Sequence, residues 1–278
     1  MKYLLLIAFY SNLVFSASAI EIFDTKSASF ITYDEFISAL PNKGHILLGE
    51  FHNNIVIQNI QTLIINDKIN ASKSSFTVHW EFLNHTEQTH IDYQFNLLKN
   101  NLQSSDDFII NTAGKNNLTY APIIEVTAKL NGTLKGINIP RDIKQMVIRD
   151  GIDSIDQSLV PATHFVGEQN YRDRFSNAMG SHVPPEKIEA YFVAQCLTDS
   201  VMAHQIYTFE NDLNFTVLGS FHSDFFDATT LRLQKLTNNE VSTLKIISKK
   251  DMTEEELNTY LSSDPFYGYF ANYIIITN

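Results

Sequence analysis

The chain has one cysteine, one tryptophan, seven prolines and ten glycines in 278 residues. With Cys196 alone no internal disulfide can form, so stability has to come from a buried core. Basic residues are also scarce. Twenty Lys and Arg stand against 31 Asp and Glu, for a formal charge of −11. That balance argues against general nucleic-acid binding, which needs a basic surface to neutralise phosphates, and makes an anionic membrane surface a poor partner. Past the N-terminus no apolar run reaches the roughly 20 residues needed to cross a bilayer. No low-complexity linker divides the chain.

What is present starts with an address. Met1-Lys2 gives a short positive start, residues 3–15 are mostly apolar, and Ala17-Ser18-Ala19 fits the small-x-small cleavage rule. The expectation is a signal peptide over residues 1–19, cut after Ala19. A membrane anchor is disfavoured because the apolar run is too short to span. No cysteine lies near the cleavage point, so no thiol is available there for a lipid anchor. The remaining residues, 20–278, are enough for one large domain, expected to be exported and soluble.

Apolar runs of strand length alternate with longer amphipathic segments. Strands are expected at His45–Leu48, Phe76–Trp80, Leu134–Ile139, Asn214–Leu218, Val241–Ser248 and Tyr269–Ile276. Helices are expected at Asn54–Ile69, His85–Leu102, Tyr120–Leu130, Arg141–Arg149, Glu186–Phe209, Phe226–Leu236 and Asp251–Tyr260. Between about 153 and 185 the alternation stops, prolines gather, and only Tyr171–Met179 has helical spacing. This stretch reads as a helical insert. The pattern predicts an α/β fold: a mainly parallel sheet with helices on both faces. Cys196, in the helical run from Ala190 to Met202, reads as a core residue.

The chemistry sits where strands end. One run finishes Leu48-Gly49-Glu50-Phe51-His52, another Leu218-Gly219-Ser220-Phe221-His222. Two further strands lead into Glu81 and Arg141. In open parallel sheets ligands bind beyond the carboxyl ends of the strands. Glu50, His52, Glu81, Arg141 and His222 are therefore the candidate polar site. Each glycine would let the backbone turn sharply or let a group approach closely. Glu50, His52, Glu81 and His222 have the donor types for a divalent metal that activates water, or for metal-free acid–base work. Arg141 offers a fork for a carboxylate or phosphate. The alternative is a hydrogen-bonded network that only fixes the loops. The other histidines are scattered and read as surface or core residues, and Asp199 as a solvated or salt-bridged position.

At these residues the sequence resembles the ChaN-like haem-binding proteins, a branch of a wider group that includes the Tiki proteases and erythromycin-esterase-like enzymes. The resemblance is carried by Ile46-Leu-Leu-Gly-Glu-Phe-His52, Trp80-Glu-Phe82, Tyr120-Ala-Pro-Ile-Ile-Glu125, Gly136-Ile-Asn-Ile-Pro-Arg141, Ala194-Gln-Cys-Leu-Thr-Asp-Ser-Val-Met-Ala203 and Leu218-Gly-Ser-Phe-His222. In order, these cover nearly the whole mature chain. The resemblance implies a periplasmic haem-binding protein of bacterial iron acquisition, partnered by an outer-membrane haem receptor. It also implies haem held between two copies by an exposed tyrosinate, a ligand that suits ferric haem. Tyr171 and Tyr120 are the candidate haem ligands. The competing expectation is a hydrolase of the Tiki or esterase type that uses the Glu/His cluster, with or without a divalent metal. Two departures from the family pattern stand out. No lipidated cysteine follows the signal peptide, and Ser220 stands where the second Gly-x-x-His segment has a Glu.

Overall fold

The structure, a computed structural model, describes residues 20–180, 182–250 and 252–278. The expected signal peptide lies outside the described residues. In chain order the strands are β1 (Ile20–Asp24), β2 (Ser29–Ile31), β3 (Gly44–Glu50), β4 (Phe76–Asn84), β5 (Thr133–Asn138), β6 (Leu213–Gly219), β7 (Glu240–Ser248) and β8 (Tyr273–Thr277). The helices are α1 (Tyr33–Ala39), α2 (Ile55–Ser72), α3 (Gln88–Lys99), α4 (Ser105–Thr112), α5 (Ala121–Lys129), α6 (Arg141–Asp150), α7 (Gln169–Met179), α8 (Ile188–Thr208), α9 (Ala228–Leu236) and α10 (Glu254–Leu261).

The strands form one sheet in the order β2-β1-β8-β7-β3-β6-β4-β5. From β8 to β5 all neighbours are parallel, and β1 and β2 add an antiparallel edge. The predicted α/β fold is therefore the observed one. Both faces are covered because each central strand is apolar on both sides. Ile46 and Leu48 of β3 pack into the core shared with α2, α3, α4 and α5. Leu47, one residue out of phase, packs with Met202, Ala203 and Ile206 of α8 and Leu233 of α9.

Local chemistry sets the element ends. The Asn54 side chain accepts from the backbone N–H groups of Val56 and Ile57 and starts α2. Ser104 and Asp107 form a reciprocal capping box that starts α4, a helix within a stretch expected to carry none. Beyond α5, Asn131 turns left-handed (φ 59°) and the Gly132 N–H donates to Thr127 O at 2.8 Å, as the Asn-Gly pair predicts. The edge strands β1 and β2, with α1, also went without expectation. They are short, and the edge pair is only partly buried, so their hydrophobic pattern is weak.

One boundary difference matters for function. The strand expected to stop at Trp80 continues to Asn84, and its pairing with β5 shifts register between Trp80 and Asn84. Glu81 thus sits inside an irregular strand rather than beyond its end. Such irregularities re-aim side chains, and here the Glu81 carboxylate faces β6.

Candidate functional site

Strands β3 and β6 are neighbours, which brings the two Gly-x-x-His segments side by side. Their register is offset: Glu50 pairs with Gly219, and Gly49 with Leu218. The segments are therefore not symmetric. His52 folds back across Gly219, where an added Cβ would sit 2.8 Å from the imidazole Cε1 and Nε2. Gly219 has φ −57°, an ordinary value, so it is needed here for space rather than for a left-handed turn. At Gly49 a Cβ would meet Ser223 Oγ at 2.5 Å. Both glycines make room for the protein's own side chains.

Two linked clusters result. In the first, the buried Glu50 carboxylate accepts from the Tyr120 hydroxyl and from Gln58 Nε2 (3.2 Å), and it pairs with His52 Nδ1 at 3.1 Å. In the second, His222 lies between two carboxylates, with Nδ1 2.6 Å from Asp199 Oδ1 and Nε2 3.4 Å from Glu81 Oε1. The Gly219 N–H donates to Glu81 Oε2 at 2.5 Å. Asp199 also accepts from Tyr171 (2.6 Å) and Thr229 (2.9 Å).

Protonation follows from this packing. Burial by itself would lower the His222 pKa, but Glu81 and Asp199 outweigh it and raise it to about 10. Burial would raise that of Glu81, but His222, His52 and the Gly219 N–H hold it down to about 2. Asp199 is also held low: burial opposes ionisation, and His222, Arg232 and Tyr171 override it. For His52 the effect of burial is overcome by the bond to Glu50 and the charges of Glu81 and Glu50, so its pKa is raised. At neutral pH His222 is an imidazolium clamped between two carboxylates.

The structure thus brings together Glu50, His52, Glu81 and His222, but not Arg141, which is exposed on the first turn of α6. As a metal set the four residues need correction. Among the described residues no group of three or more His, Cys, Asp or Glu side chains is arranged to hold a metal ion. The physical reason is prior commitment. Both His222 nitrogens face carboxylates, and the Glu50 oxygens are taken by a phenol, an amide and an imidazole.

The two candidate tyrosines are buried, and both phenols donate to carboxylates. Burial first, then the adjacent Glu50, raises the Tyr120 pKa; burial, then Asp199, raises that of Tyr171. Neither is the exposed tyrosinate that was expected. Tyr171 does, however, wall a cavity of about 220 Å³. Its other walls include Phe225, Phe226, Phe266 and Tyr267. Phe266 is 81% exposed, and the Tyr267 ring lies 5.3 Å from that of Phe225. Three non-glycine residues beside it, Phe225, Phe226 and Ala228, have positive φ (61°, 58° and 51°). Strain of this kind persists where surrounding contacts over-determine it, and it concentrates at ligand sites.

Sequence reasoning missed Asp199 as a site residue, although a signal was there. Asp199 lies three residues after Cys196 and three and four before Met202 and Ala203, which places it on the inner side of α8. It also missed the buried Lys245. The Lys245 ammonium donates to Ser220 Oγ (2.6 Å) and Asp224 Oδ2 (2.7 Å). Ser220 therefore accepts a buried ammonium instead of supplying a second strand-end carboxylate.

Residues 36–233 match the family model described as haem-binding uptake, Tiki superfamily, ChaN. The chain belongs to that family. Its fold is similar to that of ChaN from Campylobacter jejuni, with a TM-score of 0.70 and 19% identity over 93% of this chain and 97% of that one. The relative's structure is described as showing cofacial haem binding. Lesser similarity extends to the type III effector HopBA1 (TM-score 0.46, 11% identity, 88% of this chain and 92% of that one). It also extends to an erythromycin esterase, EreC (TM-score 0.43, 11% identity, 92% and 83%). No curated protein matches the sequence. No helix among the described residues is long and apolar enough to cross a membrane.

Proposed function

We propose that this ChaN-family protein is an exported, periplasmic carrier of ferric haem in bacterial iron acquisition. It holds haem between two copies and exchanges it with an outer-membrane haem receptor. The observation that carries the reading is the haem-uptake family match across residues 36–233. The cofacial arrangement described for the Campylobacter jejuni protein supports a paired, two-copy mode.

The cavity beside Tyr171 fits the cargo. A porphyrin needs an apolar, planar surface, and Phe225, Phe226 and the exposed Phe266 supply one. Ferric haem takes an anionic oxygen ligand. Tyr267, half-buried in the same wall, is the phenol to assign to it. Its backbone N–H is held by Asp264 Oδ1 at 2.9 Å, and its hydroxyl makes no hydrogen bond among the described residues. Tyr120 and Tyr171 could ligate iron only by abandoning Glu50 and Asp199, and would then leave buried carboxylates short of a donor. A cavity of this size encloses only an edge of the macrocycle, which leaves the exposed part to a second copy.

Titration of the purified mature chain with ferric haem, followed by absorbance and size exclusion together, tests the reading. A shifted Soret band with saturation, and elution as a pair of chains, is the expected result. A spectrum that stays that of free haem would overturn it.

A further inference from the structure

Part of the wall of the cavity assigned to haem is backbone that would not hold its shape unaided. Phe225, Phe226 and Ala228 are all left-handed, at φ 61°, 58° and 51°. Residues with a Cβ are rarely found there, bulky ones least of all. All three line the cavity, as does Asp227 between them. Contacts from outside the turn have to impose this conformation.

Two ion pairs do so, one on each side of the two phenylalanines. Before them, Asp224 Oδ2 accepts from Lys245 Nζ at 2.7 Å, and the same ammonium donates to Ser220 Oγ at 2.6 Å. Both members of this pair are buried, and it ties the turn to β7 in the sheet. After them, Asp227 accepts from Arg174 through both carboxylate oxygens, with Nε 3.1 Å from Oδ2. Arg174 also donates to Phe221 O at 2.9 Å, and its guanidinium lies over the Phe221 ring, 3.9 Å from the centroid. That ties the turn to α7, one helical turn beyond the cavity-lining Tyr171. Between the two pairs, the Phe225 N–H donates to Phe270 O at 2.8 Å, and the two rings lie 4.2 Å apart. Lys245 and Arg174 do not themselves line the cavity. A buried ion pair seldom adds stability beyond apolar side chains of the same volume, but it is directional and fixes what it holds.

We propose that residues 224–228 form a preformed aromatic clamp for the edge of the haem macrocycle. Lys245 and Arg174 are its positioning residues, acting through Asp224 and Asp227 to hold the turn in shape before haem arrives. The inference rests on the assignment of this cavity to haem. The gain is preorganisation: rings that are already fixed lose little freedom when the ligand docks. The assigned iron ligand is held separately, since the Tyr267 N–H donates to Asp264 Oδ1 at 2.9 Å. Loosening the clamp should therefore weaken haem binding without removing the ligand.

The test is a ferric haem titration of the full mature chain and of two variants, Lys245→Met and Arg174→Gln. Affinity is read from absorbance, and the circular dichroism of the Soret band reports how neighbouring rings are fixed around the bound haem. Each variant should bind haem about tenfold more weakly and show a reduced Soret dichroism, while keeping the tyrosinate charge-transfer band. A change that only lowers stability would move neither readout in chains that remain folded. If Lys245→Met does not fold, Arg174→Gln and one measurement on the parent still decide. That measurement is hydrogen exchange of the haem-free parent, in which the Phe225 amide should be protected, as a preformed turn requires. Parent-like affinity and dichroism in the folded variants would overturn the proposal, and so would open-loop exchange at Phe225 in the haem-free parent. A parent that takes up no haem fails the carrier reading itself, whereas a parent that binds haem no better than its variants fails only the clamp.

Discussion

The Tyr171 hydroxyl donates to Asp199 Oδ2 at 2.6 Å, on the carboxylate whose other oxygen holds His222 at 2.6 Å. A residue of α7 is thereby joined to the strand-end cluster through one buried carboxylate. The same Tyr171 ring forms part of the cavity assigned to haem. The two regions share a wall.

Asp199→Asn should be among the most destabilising single changes in the protein. Asp199 has no exposed surface and receives Tyr171, His222 and Thr229. Its loss leaves a buried imidazolium short of one carboxylate, at a cost of about 3–5 kcal/mol. Urea unfolding measures this, and a double-mutant cycle with His222→Gln should show strong coupling.

His222 gives a pH signature. Its pKa is raised in the folded state, from 6.5 to about 10. Its contribution to stability is therefore complete below pH 6.5 and is lost as pH rises toward 10, with a slope of up to about 1.4 kcal/mol per pH unit. The difference in unfolding free energy between the parent and His222→Gln should shrink over that window. Glu81 works in the opposite direction. Its depressed pKa gives stability that is present above pH 4.5 and lost as pH falls toward 2. A parent–variant difference independent of pH between 6.5 and 10 would contradict the clamped imidazolium.

Gly219→Ala tests the placement of His52. The backbone there accepts alanine, but the new methyl would overlap the imidazole. The ring must swing away from Glu50 and Glu81, and the His52 pKa, raised in the parent, should fall in an NMR titration.

For haem, Tyr267→Phe should abolish the tyrosinate charge-transfer band and weaken binding in absorbance titration. Tyr171→Phe should keep the band while costing about 1.5–3 kcal/mol of stability in urea unfolding, the worth of a hydrogen bond to a charged group. Loss of the band in Tyr171→Phe alone would return the ligand role to Tyr171.

Much of this was legible in the chain. Strand–helix alternation and the strand-end residues Glu50, His52, Glu81 and His222 follow from local patterning, because hydrophobic period and turn residues act over a few positions. The edge strands escaped because short, half-exposed segments carry little periodicity. For Asp199 the sequence allows a solvated or a salt-bridged position, because a polar residue in a helix normally faces water, and only the phase of its neighbours argues for burial. The resemblance implies an exposed tyrosinate without saying which tyrosine supplies it, and nothing local distinguishes a buried phenol with a partner, such as Tyr171, from a free one.

By itself the sequence determined the α/β class, the family, and which polar residues stand near the strand ends, since each depends on short-range pattern or ordered motifs. Tertiary structure decided what those residues are bonded to. The one-residue offset between β3 and β6, the register shift at Glu81 and the inward turn of Asp199 set the pairings of both histidines. The His222 pairings reach Asp199 and Glu81, far along the chain, which no local rule specifies, whereas His52 pairs with the nearby Glu50. They commit both histidines to carboxylates inside the fold, and the same Glu50 and Asp199 hold the two candidate tyrosines.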